Sequence, residues 1–343
     1  MLPISPREAT KNILKKLPTK RMRDVLERRF GLRSGGIATL EAIGREYKIT
    51  RERVRQIEAD ALKFLKREEH LSELAPLYEA VQTHMHEHGD VMAQHHLLAI
   101  CASTPHHPDL LLLLGLHKSF QRVPETEHHH YRWTLNKEKS NMLETVLAGV
   151  IRDLEKKGAP VSEQELHTIV ADNAGNVFGN VPGSQVLQAY LATTKSIGKN
   201  PYAEYGLVWW PTVNPAGVKD KAYAALAKAG RPLHFREVAG AINAAGWSKK
   251  KAHPQTVHNE LIKDSRFVLV GRGLYALTAW GYEPGAVREV LVSVLKNARH
   301  PVTKEEAVRE VLAKRSVKPQ TILLNLQNKS LFKRTDEGSY TLV

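Results

Sequence analysis

The sequence predicts a mainly α-helical protein built of several small domains. Its 343 residues allow two or three domains, or more if the units are small. Aromatic residues make up 6% of the chain, which leaves little material for the core of a large β-sandwich or barrel. Helical periodicity recurs between short alternating segments, and part of this pattern repeats at a fixed offset.

The N-terminal segment, residues 1–70, is predicted to contain an amphipathic helix. Leu17–Phe30 carries its apolar side chains on one face, and Gly31 is placed to end the helix in a left-handed conformation. The apolar face contains Leu17, Met22, Val25 and Leu26. This apolar face is larger than packing against two neighbouring helices would require.

Two capped helices follow in the same segment. Thr39 precedes Leu40–Tyr47, and after a short turn Thr50 precedes a longer helix with apolar residues at helical spacing. Helix, tight turn and capped helix make a helix-turn-helix, whose second helix lies in the DNA major groove. Its solvent face begins with Arg51, Glu52, Arg55 and Gln56. Arginine can bond guanine, glutamate can accept from cytosine and glutamine can read adenine, so this face predicts DNA recognition.

Three motifs in this segment are distinctive. They are Arg-Arg-Phe-Gly-Leu at 28–32, Thr-Leu-Glu-Ala-Ile-Gly at 39–44, and the run Thr-Arg-Glu-Arg-Val-Arg-Gln-Ile-Glu-Ala at 50–59. With Leu17-Pro18 before them, they resemble the fourth conserved region of primary-type bacterial sigma factors over about residues 7–70. The resemblance implies that this domain reads the −35 promoter element and rests on the flap of the RNA polymerase β subunit.

At matching positions the resemblance assigns two kinds of DNA contact. Bases would be approached by Arg51, Glu52 and Gln56. Phosphates would be held by Arg53, Arg55 and the helix start at Thr39 and Leu40, and Thr50 belongs to the same DNA-binding set.

The resemblance also implies that Leu17, Met22, Val25 and Leu26 bind the polymerase flap. The alternative is that this face packs on the apolar stripe of the last helix, Val54, Ile57 and Ala61. Nothing in the chain resembles the sigma region that melts the −10 element, so the protein is not expected to open promoters alone.

The C-terminal half contains an internal repeat. Pro254-Gln255-Thr256-Val257 recurs as Pro319-Gln320-Thr321-Ile322, an offset of 65 residues. The same offset pairs Phe267 with Phe332, Gly273 with Gly338, Tyr275 with Tyr340, and Leu277 with Leu342. Each copy predicts three helices followed by a short hairpin, which turns at Gly271-Arg272-Gly273 or at Asp336-Glu337-Gly338. Three helices with a β-ribbon make a winged helix.

The first copy of this repeat carries a basic surface. Lys249, Lys250 and Lys251 precede its third helix, and Arg266 and Arg272 flank its wing, an arrangement that can hold a phosphate backbone. Its segments 230–239 and 271–277 resemble the HARE-HTH module, which also occurs in the delta subunit of some bacterial RNA polymerases and in DNA-modification systems. A winged helix used for protein docking is the alternative.

Weaker versions of the same plan occupy the middle of the chain, with strand ends at 135 and 210 against 277 and 342 in the C-terminal copies. The predicted fold is therefore mainly α: an N-terminal helix-turn-helix followed by four tandem winged helices with short β-hairpin wings. The predicted domains are residues 1–70, 71–137, 138–215, 216–282 and 283–343.

Charge is concentrated at the two ends of the chain. The net charge is +14, which attracts polyanions and makes nucleic acid the first partner to consider. Residues 1–70 carry 18 Lys and Arg against 10 Asp and Glu, and residues 216–282 carry 11 against 4. The middle is mildly acidic. A basic segment can also be no more than a solvated surface, so the motifs decide between the two interpretations.

No motif of catalysis or cofactor binding is recognised, and the single cysteine, Cys101, excludes an internal disulfide framework. Eleven of the 17 histidines lie between His84 and His130. Their spacing favours solvated or loop positions, with a zinc site or an acid-induced cationic patch as alternatives. No signal pattern or membrane-spanning run is found.

These observations predict a soluble, nucleoid-associated cytoplasmic protein that is not an enzyme, needs no cofactor or metal and does not bind membranes. We expect a transcription factor that binds double-stranded DNA and acts with RNA polymerase. The alternatives are a DNA-organising or DNA-processing accessory protein and a protein-docking scaffold of winged helices.

Overall fold

The computed structural model of the protein describes five stretches of the chain: residues 2–33, 36–298, 300–315, 317–335 and 338–343. They are mainly helical with small antiparallel sheets. The chain divides into two compact units, the first made of residues 1–157 and 164–197 and the second of residues 158–163 and 198–343. The division falls inside the range predicted for the second winged helix, and the five-domain organisation stays a prediction.

The N-terminal segment folds into five helices. They are α1 (Pro6–Lys15), α2 (Lys20–Arg29), α3 (Leu40–Tyr47), α4 (Arg51–Leu65) and the short α5 (Glu68–Leu71). The helix predicted over Leu17–Phe30 starts too early, because Pro18 restricts the residue before it and extended Thr19 caps α2 through the N–H of Met22. The end is as predicted, since Gly31 is left-handed with φ of +66°.

Helix α1 is absent from the sequence-based prediction. It begins at Pro6 after extended Ser5, a position where proline loses no helical hydrogen bond. Its buried side chains, among them Ile13 and Leu14, pack with residues 107–116 of the next segment.

The segment after α5 alternates helices with short strands. Its elements are α6 (Ala75–Glu87), β1 (Val91–Ala93), α7 (Gln94–Cys101), α8 (His107–Leu116), β2 (Gln121–Val123) and β3 (Arg132–Thr134). The central strand β3 pairs antiparallel with both others, and Thr134 lies opposite Val91 and Gln121.

A second set of elements has the same order. It consists of α9 (Lys137–Lys157), α10 (Glu163–Phe178), α11 (Ser184–Leu191), β4 (Ile197–Lys199) and β5 (Tyr205–Leu207). A single bridge from Val161 to Tyr205 stands where the first strand lies in the preceding set.

The third set is the most regular. It consists of α12 (Val218–Ala229), β6 (Leu233–His234), α13 (Phe235–Ala245), α14 (Pro254–Lys263), β7 (Phe267–Gly271) and β8 (Leu274–Leu277), and β8 is the central strand. Gly273 supplies the positive φ of the hairpin turn, and a Cβ there would lie 2.6 Å from the His234 ring.

The fourth set completes the chain. It consists of α15 (Val287–Ala298), α16 (Lys304–Lys314), α17 (Pro319–Leu326), β9 (Phe332–Arg334) and β10 (Tyr340–Leu342), with a bridge from Val302 to Tyr340. The predicted turn residues Asp336 and Glu337 lie outside the described residues. Helix, short strand or bridge, two helices and a hairpin therefore recur four times in the described chain.

One apolar core joins the N-terminal helices to the first of these sets. It contains Leu14 and Leu17 together with Leu26 of α2, and it continues through Leu77 and Leu113. A smaller core behind α4 contains Val25, Ile43, Val54 and Ile57. Helix α2 thus buries two faces, Val25 in the smaller core and Leu26 in the larger.

Among the described residues no single helix is long and apolar enough to span a bilayer. Only α7 taken together with residues 104–116 meets the length and hydropathy required, across a bend of 112°.

Candidate nucleic-acid interface

The start of α4 is fixed by two helix caps and a tight turn. Thr39 Oγ1 accepts a hydrogen bond from the N–H of Ala42 at 3.1 Å, and Thr50 Oγ1 accepts one from the N–H of Arg53 at 3.1 Å. These oxygens satisfy N–H groups that have no partner inside the helix. Lys48 turns the chain between α3 and α4 in the left-handed region, with φ of +52°. Thr39 therefore caps α3, and Thr50 together with the turn at Lys48 fixes the start of α4.

Glycine at position 44 allows α3 to approach this turn closely. A Cβ on Gly44 would lie 2.8 Å from the carbonyl oxygen of Ile49, which is too close for a carbon atom. Val54 and Ile57 of α4 are buried in the core on the same side. The opposite face of α4 is consequently turned to solvent.

The predicted recognition residues lie on that solvent face. All five side chains at the start of α4 are exposed: Arg51, Glu52, Arg53, Arg55 and Gln56. Arg55 Nη2 donates to Glu52 Oε1 at 2.7 Å, and Arg53 Nη1 donates to Gln56 Oε1 at 3.0 Å. The hydrogen bonds from Arg55 lower the pKa of the Glu52 carboxyl. Because exposed pairs add little to stability, they can be exchanged for contacts to a ligand.

Ion pairs hold α2 against α3 and α4. Asp24 lies 2.8 Å from Arg28 Nε and accepts a hydrogen bond from the Tyr47 hydroxyl at 2.7 Å. Burial opposes ionisation of Asp24, but the Tyr47 hydroxyl and the guanidinium of Arg28 outweigh it and lower the pKa of the carboxyl. Arg29 Nε pairs with Glu58 of α4 at 3.1 Å. The Asp24–Tyr47 hydrogen bond thus connects α2 to α3, and the Arg29–Glu58 ion pair connects α2 to α4.

The side chains predicted to bind polymerase are mostly interior. Val25 and Leu26 are fully buried, Leu17 is 5% exposed, and Met22 is half-buried. The apolar face is indeed larger than the helix-turn-helix needs, but the excess is covered by the first helix-and-strand set through Leu17 and Leu26. This corrects the expectation of an open face. In this structure these side chains are not offered to a partner.

A second basic surface lies on the third set of elements, in the second unit. Lys249, Lys250 and Lys251 are exposed in the loop before α14. This loop is anchored because Asn243 bonds the backbone of Ala252 in both directions, at 3.0 and 2.7 Å. The three lysines therefore project from an ordered loop.

The two arginines predicted beside this wing have different surroundings. Arg272 is exposed in the β7–β8 turn. Arg266 instead donates to Asp220 at 2.8 Å and to Asp264 at 2.7 Å, and it lies over the ring of Tyr223. Hydrogen bonds from Arg266 lower the pKa of Asp264. Arg266 is thus engaged in holding its own domain together, and its expected contact with DNA stays a prediction.

Sequence reasoning missed two basic residues close to the recognition helix. Arg45 on α3 has a side chain that is 81% exposed, and Lys48 is exposed in the turn before α4. Lys48 lies in the short connection of the helix-turn-helix and Arg45 in the last turn of the helix before it, and these places were the signal that could have identified them.

The clustered histidines lie at a contact inside the first unit. His88 Nε2 is 3.0 Å from the side-chain nitrogen of Gln185, and the rings of His88 and His96 are 5.6 Å apart. Within the described stretches no group of three or more His, Cys, Asp or Glu could hold a metal ion. Burial raises the pKa of the Cys101 thiol to about 11, as expected of an inert cysteine.

Two segments match known protein families. Residues 13–67 match the family described as "Sigma-70, region 4". Residues 217–280 match the HARE-HTH family, whose description names ASXL and restriction endonuclease helix-turn-helix domains. Both are DNA-binding helix-turn-helix families. The resemblances to sigma region four and to HARE-HTH are therefore confirmed for these segments.

Individual relatives cover only the N-terminal part. The chain is 54% identical over 48 residues to the RNA polymerase sigma factor SigA of Lactococcus lactis subsp. cremoris, covering 14% of this chain and 13% of that protein. It is 52% identical over 60 residues to SigA of Microcystis aeruginosa, covering 18% and 14%. It is 51% identical over 59 residues to RpoD of Neisseria gonorrhoeae, covering 17% and 9%. The chain thus spans a small fraction of the sigma factors it matches.

Proposed function

We propose that this protein is a sequence-specific transcription factor that recognises a −35-type promoter element and acts with bacterial RNA polymerase. One observation carries the proposal: the exposed row Arg51, Glu52 and Gln56 stands at the start of a capped helix, within a segment matching sigma region four. Guanidinium, carboxylate and amide groups at that position can read base edges in the major groove.

The remaining basic and capping residues position the DNA. Phosphates are held by Thr39, Leu40, Thr50, Arg53 and Arg55 around α4, and by Lys249, Lys250, Lys251 and Arg272 on the third set. We propose that all four sets are winged-helix domains, as their shared element order supports. The protein acts in the cytoplasm, on the nucleoid, without catalysis or cofactor.

Polymerase is the second partner in this proposal, as the names of the sigma relatives suggest. Flap contact through Leu17 and Leu26 requires the first winged helix to leave its place on α1 and α2, since it covers them now. Val25 lies instead in the core with Val54 and Ile57 of α4. A flap contact is modest alone and strengthens when DNA is bound at the same time, through effective concentration. Promoter melting is left to another factor.

Substitutions at the start of α4 test base reading. Arg51→Ala in the full chain is expected to cost about 1–3 kcal/mol on a duplex with a −35 element and to relax selection at one position. Arg53→Ala is expected to weaken all duplexes equally, because it removes a phosphate contact. Arg152→Ala, an exposed arginine on α9, is the control for loss of one charge. Equal losses on specific and random DNA for both variants would exclude base reading.

A DNA-processing accessory role is the second candidate, because the family matched at 217–280 includes restriction endonuclease helix-turn-helix domains in its description. Purification of the tagged full chain from its native cells distinguishes the transcription factor from the accessory protein. Stoichiometric RNA polymerase supports the transcription factor. A nuclease or methylase in its place supports the accessory role.

A further inference from the structure

A groove of about 550 Å³ crosses the first unit away from the predicted recognition residues of α4. One wall is formed by the end of α2 and the residue Ile37, and the other by α8 and strand β2. Its apolar lining includes Phe30, Leu111, Phe120 and Trp133. Cavities of this size, largely apolar with few polar groups, are typical of ligand sites.

Trp133 and Ile37 line this groove in different ways. Trp133 is 2% exposed, and its Nε1–H has no hydrogen-bond partner among the described residues. Because this Nε1 atom is closed to solvent, the indole offers a ligand apolar contact and no hydrogen-bond donor. Ile37 at the rim is 74% exposed, which places a large aliphatic side chain in water beside the groove.

The charges on the groove are all of one sign. Its only charged lining residues in the described chain are Arg29 and Arg122. Arg29 is partly neutralised by Glu58, at 3.1 Å. Arg122 donates from Nε to Gln94 at 2.9 Å and lies over the Tyr131 ring at 4.3 Å. Its guanidinium is held in position by neutral partners, so it keeps its full charge for an anion.

We propose that this groove binds an acidic peptide segment of a partner protein through one large apolar side chain. The apolar side chain packs on Phe30, Phe120 and Ile37, and a carboxylate pairs with Arg122. An apolar lining with one fully charged arginine suits an acidic peptide better than a phosphate backbone, which needs several exposed cations. This site goes beyond the proposed DNA recognition and does not depend on it.

The test begins with selection of short displayed random peptides on the full chain. We expect the recovered peptides to carry Asp or Glu beside Phe, Trp or Leu. A recovered peptide is then titrated against the full chain labelled with 5-fluorotryptophan. The chain has five tryptophans, and Trp133→Phe identifies the fluorine signal of Trp133. This signal is expected to shift with peptide and to be unaffected by a DNA duplex.

Variants at two exposed rim positions complete the test. Arg122→Glu and Ile37→Asp are expected to weaken peptide binding by roughly tenfold or more. Arg152→Glu, the same charge change at exposed Arg152 on α9, is expected to leave it unchanged. Failure to enrich any peptide, or binding that both groove variants leave intact, overturns the proposal. A Trp133 shift caused by DNA instead would make the groove part of the nucleic-acid surface.

Discussion

Arg266 is a basic side chain whose charge is paired with two carboxylates of its own domain. It bridges Asp220, which lies in the first turn of α12, and Asp264, which follows α14, and Tyr223 lies against it. Asp220 is 9% exposed, so its carboxylate depends on the guanidinium for compensation. These two ion pairs connect α12 with the end of α14, the first and third helices of the third set.

Arg266→Ala is therefore expected to act on stability and not on DNA binding. Loss of charged hydrogen bonds to both aspartates should lower the free energy of unfolding by about 1–3 kcal/mol. The salt dependence of DNA affinity should stay as in the wild type. Chemical denaturation and titrations at several salt concentrations measure the two effects, and Arg272→Ala is the matched comparison. A reduced salt slope with unchanged stability would restore Arg266 to the interface.

Gly44 provides a second prediction for a single residue. Gly44→Ala places a Cβ against the carbonyl oxygen of Ile49, and the backbone must shift to accept it. We expect a loss of about 1–3 kcal/mol in stability and weaker DNA binding, because α4 is displaced from its turn. Gly240→Ala on the exposed side of α13, where no atom lies within 4 Å, should instead gain about 0.5–1 kcal/mol. Thermal unfolding of both variants checks the contrast.

Single elements differ in how far local sequence determines them. The second helix predicted for the first repeat copy occurs as α13, because its apolar spacing and the closing glycine at 246 are local signals. Strands β1 and β6 escape prediction, since a strand of two or three residues is defined by a partner some 40 residues away. The exposure of Arg51, Glu52, Arg55 and Gln56 follows from helical spacing, whereas the burial of Leu26 depends on residues beyond position 70.

The contact between the histidine-rich segment and α11 is expected to weaken in acid. Tyr190 Oη donates to the carbonyl oxygen of Gly89 at 3.1 Å, and the N–H of His130 donates to the carbonyl oxygen of Thr193 at 2.9 Å. The rings of His95 and His130 are 5.0 Å apart. Burial, aided by neighbouring histidines, lowers the pKa of His96 and of His130 below the ordinary 6.5, although Glu125 opposes this at His130.

The direction of the pH effect follows from these shifts. As pH falls below 6.5, the unfolded chain takes up protons before the folded chain does, so stability decreases. We expect the melting temperature at pH 5.5 to lie a few degrees below that at pH 7.5. His96→Gln should reduce the difference, and His300→Gln, an exposed histidine before α16, should not. If His96→Gln leaves the difference in melting temperature between the two pH values unchanged, the acid sensitivity belongs to other groups.

The whole molecule carries predicted DNA contacts in each of its two units. The recognition residues lie in the first unit and the exposed lysines before α14 in the second. Replacing Lys249, Lys250 and Lys251 together by alanine should flatten the salt dependence of binding, by about 0.9 log units of slope for each phosphate that is no longer neutralised. Base preference should persist. Filter binding across a salt series measures the slope, and an unchanged slope would assign the third set of elements to protein docking.

The packing of α1 on α8 has a consequence for how the chain is made. Thr10 Oγ1 donates to the carbonyl oxygen of Asp109 at 3.4 Å, so the two ends of this contact are 99 residues apart. At about 5–20 residues per second, a ribosome needs roughly 5–20 s to synthesise that interval. Through this delay Ile13, Leu14 and Leu26 lack the α8 side of their core in the nascent chain. The sigma-like segment is thus synthesised before α8, and its fold is complete only when α8 has been made.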